Sequence, residues 1–119
     1  MGVTCGRVYE PVSPEEGTRV LVDRLWPRGL RKEDPRVGTW CKKVAPSGDL
    51  RHDLHAGEPL AAFEQQYRTE LEHEPAAGEL DKLTELARTG SLHLVSAAAT
   101  VPAAHVTVLK DIIDHRLSH

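Results

Sequence analysis

The chain has 119 residues, of which 39% are apolar and 28% are charged, a balance typical of a globular protein. Its 15 basic and 18 acidic side chains give a formal net charge of −3, which argues against a broadly basic nucleic-acid-binding protein. No apolar run approaches the roughly 20 residues that a membrane-spanning helix needs, and the first residues do not resemble a secretion signal. We therefore expect one domain over residues 1–119, located in the cytoplasm and with no membrane partner.

Two strands are predicted in the amino-terminal quarter of the chain. Arg7-Val8-Tyr9 is a short apolar-centred piece that Pro11 stops, and residues 18–26 form the clearest strand. The centre of that strand, Val20-Leu21-Val22, is continuously apolar, as in a strand that is covered on both faces. Pro27-Arg28-Gly29 ends it, because proline cannot donate to the hydrogen-bond ladder.

Two short helices are predicted to follow. Asp34 is placed as an N-cap and Pro35 as the first helical residue of a helix that continues through residues 37–44. Ser47 is placed to cap a second short helix, which Gly57 ends. A nucleophilic role for Ser47 would require a partner base and a strained elbow, and the sequence shows neither.

The remainder of the chain is predicted to form two helices, a strand and a last helix, in that order. Apolar side chains at steps of three and four predict helices over residues 59–73 and around 80–87, and Gly90 is placed as a left-handed cap of the second one. Residues 92–96 form a second buried strand, and a last helix covers about 102–117. This order favours an α/β fold, with a small, mostly parallel sheet flanked by helices. A helical protein with a small ribbon is the competing architecture.

Residues 23–29 are the strongest candidate for a functional site. They bring an acid, two guanidinium groups, an indole and a turn directly after the buried strand, and open α/β sheets bind ligands beyond the carboxyl ends of their strands. Arginine forks suit carboxylate and phosphate oxygens, and an indole can stack on a flat ligand. The predicted ligand is therefore an anionic or planar small molecule. The candidate ligand-binding residues are Asp23, Arg24, Trp26, Arg28 and Ser47.

A structural interpretation competes with that prediction. An ion pair between Asp23 and an arginine would fix the turn, and Trp26 would fill a gap in the core. Both interpretations place the same residues after the same strand, so the residue types alone leave them open.

The second strand ends in small residues, from Ser96 to Thr100, which allow close approach of a ligand or of a neighbouring side chain. Thr100 is a candidate cap for the last helix, whose N-terminus would favour an anion. His105, in the first turn of that helix, is the best candidate for a general acid or base. His93 is expected to face away from its two leucine neighbours and to pack rather than bind a ligand.

No metal site and no cofactor are predicted. Cys5 and Cys41 lack a ligand pattern and are expected to be free thiols in a reducing compartment. His52 and His55 share a helix face, but such a pair usually needs a third ligand from elsewhere, and we interpret both as surface residues.

Several of these stretches resemble the YeaO-like family, bacterial domains of unknown function and of about this length. The stretches are Arg7-Val8-Tyr9-Glu10-Pro11, residues 19–29, Trp40, Val44-Ala45-Pro46-Ser47 and Leu50-Arg51. The Asp-Arg-Leu-Trp-Pro-Arg-Gly stretch is the most specific of them. The resemblance implies a small α/β fold and a cytoplasmic location, and it implies no catalytic assignment, since the activity of the family is not established.

The chain departs from the family pattern after its last strand. Members of the family typically carry an aromatic residue, two alanines, a basic residue and an aspartate there, whereas this chain has Ser96-Ala97-Ala98-Ala99-Thr100. If the replaced groups belong to the family's site, this chain has lost part of it or binds a different ligand.

Three functions therefore stay open, and whether the protein is an enzyme stays open with them. The first is a domain that binds a small anion at residues 23–29. The second is a non-enzymatic interaction module, in which those residues are structural and the outer helix faces bind a protein, a second copy included. The third is nucleic-acid binding through Arg24, Arg28 and their basic neighbours, against which the net charge argues.

Overall fold

The computed structural model describes residues 2–13, 17–55, 57, 59–98 and 104–118, and for residues 52–55 it describes the backbone only. This part of the chain contains four strands, a short 3-10 helix and four α-helices. In chain order they are β1 (Gly2–Arg7), β2 (Thr18–Leu21), β3 (Thr39–Trp40), the 3-10 helix (Lys42–Val44), α1 (Gly48–His55), α2 (Leu60–Glu70), α3 (Ala76–Thr89), β4 (Ser91–Ser96) and α4 (Ala104–Leu117). None of the helices described is both long enough and apolar enough to cross a bilayer.

The four strands form one parallel sheet in the order β1-β4-β2-β3. The last strand in the sequence therefore lies between the first two, and Leu94 pairs with Cys5 on one side and with Val20 on the other. This arrangement confirms the predicted α/β fold. Because all the strands run in one direction, their carboxyl ends meet at one side of the sheet, which we call the carboxyl edge.

The centre of β2 runs through the middle of the molecule, as the continuous apolar run predicts. Val20, Leu21 and Val22 are all fully buried. Val20 and Val22 pack into the main core beneath the helices. Leu21 points to the other face of the sheet, which is covered by loops. There it joins a smaller group of buried residues, the loop-side cluster, which consists of Val8, Leu21, Val37 and Val95.

The orientation of His93 is confirmed in the same way. Leu92 and Leu94 belong to the main core, whereas the ring of His93 lies on the opposite face, with its Nδ1 2.6 Å from Oγ1 of Thr4. Successive side chains of a strand point to opposite faces, which explains the alternation.

The helix predicted over residues 34–44 is wrong. The Asp34 carboxylate does bind a backbone N–H, that of Arg36, and it also binds the Arg36 side chain, but the segment forms turns rather than a helix. Gly38 follows in a left-handed conformation, with a φ of +66°, against the backbone of Arg19. The chain then pairs with β2 as β3, so edge pairing outweighs the local helix signal.

Other boundaries shift by smaller amounts. The first strand is Gly2–Arg7 rather than residues 7–9, and the second stops at Leu21, although Val22 still donates its N–H to Val95. Gly90 is extended, with a φ of −171°, and is not the left-handed cap that was predicted. The residues that lead into α4, Thr100 among them, lie outside the described residues, so its predicted capping role stays a prediction.

A buried arginine holds the covering loops to the sheet. Arg19 is only 6% exposed. Its guanidinium donates to the carbonyl oxygens of Glu10 at 2.9 Å, Arg36 at 2.8 Å and Pro11 at 3.3 Å. The loop after β1 and the loop after β2 are thereby bonded to one side chain of β2.

Candidate functional site

Asp23 lies directly beyond β2 at the carboxyl edge, and its carboxylate joins three elements of the fold. Oδ1 accepts hydrogen bonds from the Ser96 hydroxyl at 2.7 Å and from Nε2 of His105 at 3.0 Å, and Oδ2 accepts one from the N–H of Ala97 at 2.7 Å. The side chains of Asp23 and His105 are only 17% and 14% exposed. The predicted ion pair between Asp23 and an arginine is therefore wrong: the contacts of this carboxylate run to β4 and α4.

These donors keep Asp23 ionised. Burial alone would raise the pKa of Asp23, but the hydrogen bonds from His105, Ala97 and Ser96 outweigh burial and hold that pKa below its ordinary value. Because a carboxylate can only accept, Nε2 of His105 carries the hydrogen. Nδ1 of the same ring has no partner in the described part of the chain. His105 thus lies beside the candidate site, where its place in the sequence put it.

Arg24 turns away from Asp23 and binds backbone oxygens. Its Nε donates to Pro46 at 3.0 Å and one terminal nitrogen donates to Ala45 at 3.2 Å. The side chain ties the loop after β2 to the segment before α1. Both acceptors are neutral carbonyls, so these contacts do not neutralise the positive charge of Arg24.

The two tryptophans of the chain contact each other edge to face, with ring centroids 5.3 Å apart. Trp26 donates its Nε1–H to Leu30 and packs against the loop-side cluster, as expected for a residue that fills a gap in the core. Trp40 donates its Nε1–H to the carbonyl of Asp23 at 2.7 Å and is 37% exposed. The Lys42 ammonium lies 5.2 Å from the centre of the Trp40 ring.

Arg28 differs from every other candidate residue, because its guanidinium is exposed and has no hydrogen-bond or ion-pair partner among the described residues. Its backbone is nevertheless fixed. The Tyr9 hydroxyl donates to the Arg28 carbonyl at 2.9 Å, and the bond from Trp26 to Leu30 closes the loop around it. The loop thus presents a free cation from a fixed position.

Ser47 caps α1, as predicted from the sequence. Its hydroxyl oxygen accepts the N–H of Leu50 at 3.2 Å, in the first turn of α1. Its hydroxyl and its N–H also donate to the two carboxylate oxygens of Glu70. The polar atoms of Ser47 are therefore hydrogen-bonded to α1 and α2, which distinguishes Ser47 from the other four predicted residues.

Arg7 and Tyr9 also lie at the carboxyl edge, although neither was predicted to belong to the site. Arg7 ends β1, beside β4, and its Nε donates to the carbonyl of Ala98 at 3.1 Å. Its guanidinium carbon lies 5.2 Å from the centre of the Tyr9 ring. Arg7 and Tyr9 lie two residues apart at the end of β1, and side chains with this spacing share a face of a strand. Knowledge of the strand order would have been enough to place both at the carboxyl edge.

Elsewhere, the described residues form two open grooves but no cluster of metal ligands. No group of three or more His, Cys, Asp or Glu side chains is placed to hold a metal in the described residues, and the side chains of His52 and His55 are not among those described. Open grooves of about 650 and 460 Å³ share His115 and Arg116. The larger groove lies between α3 and α4 and the smaller between α2 and α4. Charges of both signs line them, and neither lining includes a residue of the carboxyl edge.

A parallel four-stranded sheet with polar side chains gathered at its carboxyl edge defines a small α/β protein. Over residues 2–119 the chain matches the family described as the inactive DUF488-N3 subclade, and it belongs to that family. The predicted resemblance to YeaO-like proteins is also confirmed. The chain is 39% identical to the uncharacterised protein YeaO of Escherichia coli strain K12 over 113 residues, which cover 93% of this chain and 96% of the relative.

Two mycobacterial proteins are similar over an equally large share. The uncharacterised proteins Rv3073c of Mycobacterium tuberculosis and Mb3100c of Mycobacterium bovis are each 44% identical over 115 residues. That alignment covers 96% of this chain and 95% of each relative. No solved structure gave a significant match.

Proposed function

We propose that this protein binds a small anionic ligand at the carboxyl edge of its sheet and does not transform it. The observation that carries the proposal is the free guanidinium of Arg28 on a loop whose backbone is held by Tyr9 and Trp26. A loop that is already ordered loses little entropy when a ligand binds, so the contacts it makes contribute more to affinity.

The charge distribution along the chain supports an anion. Residues 18–51, which include β2, β3 and the loop between them, have nine basic and four acidic side chains, whereas residues 52–119 have five basic and eleven acidic ones. Although the whole chain has a net charge of −3, residues 18–51 are therefore positive, and they include the carboxyl-edge residues after β2. Such a segment attracts anions and raises their local concentration.

Two observations support binding without turnover. The family to which the chain belongs is described as inactive. The Ser96 hydroxyl donates to the Asp23 carboxylate, which is too weak a base to activate a serine because its pKa is held below its ordinary value. The Asp23 carboxylate, with three donors of its own, serves to hold β4 and α4 in place.

The test is calorimetric titration with inorganic phosphate at low ionic strength, comparing wild type, Arg28→Ala and Arg31→Ala. Arg31 is an exposed arginine of the same loop and serves as the matched control. We expect Arg28→Ala to weaken phosphate binding at least about tenfold, because one hydrogen bond to a charged group contributes roughly 1.5–3 kcal/mol. The variant should unfold at the wild-type temperature, since the Arg28 side chain has no partner to lose among the described residues.

The control should lose much less affinity than Arg28→Ala, because it removes one charge of the positive segment but no contact with the ligand. Equal phosphate affinity in wild type and Arg28→Ala would refute the proposed site. Absence of binding by wild type, with citrate tried in place of phosphate, would refute the proposed function itself.

A second candidate function, a protein-interaction module, is favoured by one observation. Leu25 is 65% exposed and Trp40 is 37% exposed, and the indole of Trp40 is bonded to the backbone two residues before Leu25. The large apolar side chains of α4 within the described residues are not exposed to this degree, so the partner surface would lie here rather than on that helix. Sedimentation equilibrium of wild type and Leu25→Asp tests the case of a homodimer, which predicts self-association that the substitution abolishes.

Two further expectations belong to the proposal. We place the protein in the cytoplasm, because Cys5 and Cys41 are both free thiols. Nucleic acid is not the proposed ligand, because Lys42 lies over the Trp40 ring and Trp26 contacts it, which leaves less of that ring for stacking on a base.

A further inference from the structure

Tyr9 contacts the guanidinium of Arg7 through its ring and the backbone of Arg28 through its hydroxyl. The guanidinium of Arg7 lies 5.2 Å from the centre of the Tyr9 ring, within the range of a cation–π contact. The hydroxyl of the same ring donates to the carbonyl of Arg28 at 2.9 Å. Tyr9 therefore fixes the distance between the end of β1 and the loop that carries Arg28.

Two contacts orient the guanidinium of Arg7 and leave its terminal nitrogens available as donors. Its Nε is bonded to the Ala98 carbonyl, and its flat group lies against Tyr9, so two contacts determine its direction. Its two terminal nitrogens have no hydrogen-bond partner among the described residues. An arginine held in this way retains donors in a fork that matches the oxygens of a carboxylate or a phosphate.

Of the other charged side chains around Tyr9, Arg36 is neutralised by Asp34, whereas Glu10 places a negative charge beside Arg7. Arg36 forms a two-pronged ion pair with Asp34, with contacts at 3.0 and 2.8 Å. Glu10 lies on the same turn, and its carboxylate accepts the backbone N–H of Arg7 at 2.7 Å. Arg7 and Arg28 are thus the cations beside Tyr9 that retain guanidinium donors for a ligand.

We propose that Arg7 and Arg28 form a two-arginine clamp, with Tyr9 as its spacer, and that the clamp selects a compact dianion. The inference rests on the proposed function and names the class of its ligand. A dianion can place one negative charge on each guanidinium, whereas a monoanion neutralises only one of the two positive charges. Phosphate monoesters and short dicarboxylates share this chemistry.

The experiment compares the affinities of inorganic phosphate, malonate and acetate by calorimetry at one ionic strength and at a pH where phosphate is dianionic. Wild type should bind phosphate or malonate at least about tenfold more tightly than acetate, since the second guanidinium adds a charge-assisted contact. In Arg7→Ala the preference for the dianion over acetate should fall to near one. A preference for phosphate over malonate identifies the tetrahedral anion as the ligand class, and the reverse identifies dicarboxylates.

Tyr9→Phe provides a second variant in case Arg7→Ala does not fold. It keeps the ring under Arg7 and removes only the hydroxyl that holds Arg28, so it should reduce dianion binding while circular dichroism stays that of wild type. Arg31→Ala should keep the full preference.

The outcomes separate the two proposals. If Arg28→Ala loses binding while Arg7→Ala and Tyr9→Phe retain the wild-type preference for dianions, the clamp is refuted and the anion site stands. If wild type binds none of the three anions, both are refuted.

Discussion

His105 donates its Nε2–H to Asp23 across 3.0 Å, and this contact joins the first turn of the last helix to the residue that follows β2. The same carboxylate binds the exit of β4 through Ser96 and Ala97. One side chain thus sets the relative positions of two strands and a helix at the edge where the ligand is proposed to bind. Substitutions at Asp23 therefore measure how far the site depends on this network.

Asp23→Ala should destabilise the protein by about 2–3 kcal/mol, because it leaves several partly buried donors without an acceptor. Urea unfolding followed by circular dichroism measures the change. Asp111→Ala, at an exposed aspartate of α4, is the control and should stay within about 0.5 kcal/mol of wild type. Equal effects of the two substitutions would contradict the structural role given to Asp23.

Stability should fall in acid partly through Asp23. The folded state holds the pKa of Asp23 below its ordinary value of 3.8, so folding favours the ionised form. The contribution of Asp23 is therefore present above the unfolded-state pKa and is lost as the pH falls through the folded-state pKa. The gap between the urea midpoints of wild type and Asp23→Asn should be constant near neutral pH and should narrow as the pH falls below the ordinary value of 3.8. A gap that stayed constant in that acid range would count against the assignment.

Leu21→Ala should cost about 2–5 kcal/mol, as expected for a fully buried leucine whose removal leaves a cavity. Leu25→Ala makes the same chemical change four residues later, at a side chain that is 65% exposed, and should cost less than about 0.5 kcal/mol. Thermal unfolding of the two variants compares them directly. Similar melting temperatures would mean that β2 does not run through the core.

Gly38→Ala and Gly29→Ala separate backbone strain from steric overlap. Both glycines have a left-handed backbone, with φ of +66° and +85°. An added Cβ at Gly38 would lie 2.2 Å from the carbonyl oxygen of Arg19, whereas the space at Gly29 is open. We expect a loss of about 1–2 kcal/mol at Gly29 and about 2–5 kcal/mol at Gly38, measured by urea unfolding. A larger loss at Gly29 than at Gly38 would contradict the position of β3 beside β2.

The elements that the sequence predicts well are those with a repeating apolar pattern. The run at Val20-Leu21-Val22 and the stripe through Phe63 and Tyr67 both specify their element, because burial requires that spacing. The two-residue strand Thr39–Trp40 has no such period, and the Asp34-Pro35 signal before it suggests a helix that Gly38 and edge pairing prevent. The local helix signal fails here because pairing with β2 gives the backbone of residues 39–40 hydrogen bonds that the sequence around them does not reveal.

The candidate site shows the same limit. Asp23, Arg28 and His105 can be chosen from residue type and position after a strand or at a helix start. The N–H of Ala97 cannot be chosen in this way, because every residue but proline has a backbone donor and only the fold selects which one meets Asp23. Arg7 and Tyr9 become neighbours of the site only through the β1-β4-β2 strand order.

The separation of the loop-side cluster from the main core has a consequence for how such a protein can diversify. Leu21 and Val95 anchor the covering loops on one face of the sheet, while the helices pack on the other. Mutational effects at sites without shared contacts are close to additive. Natural variation or laboratory selection could therefore rewrite residues 24–36, and with them the choice of ligand, without repacking α2, α3 and α4.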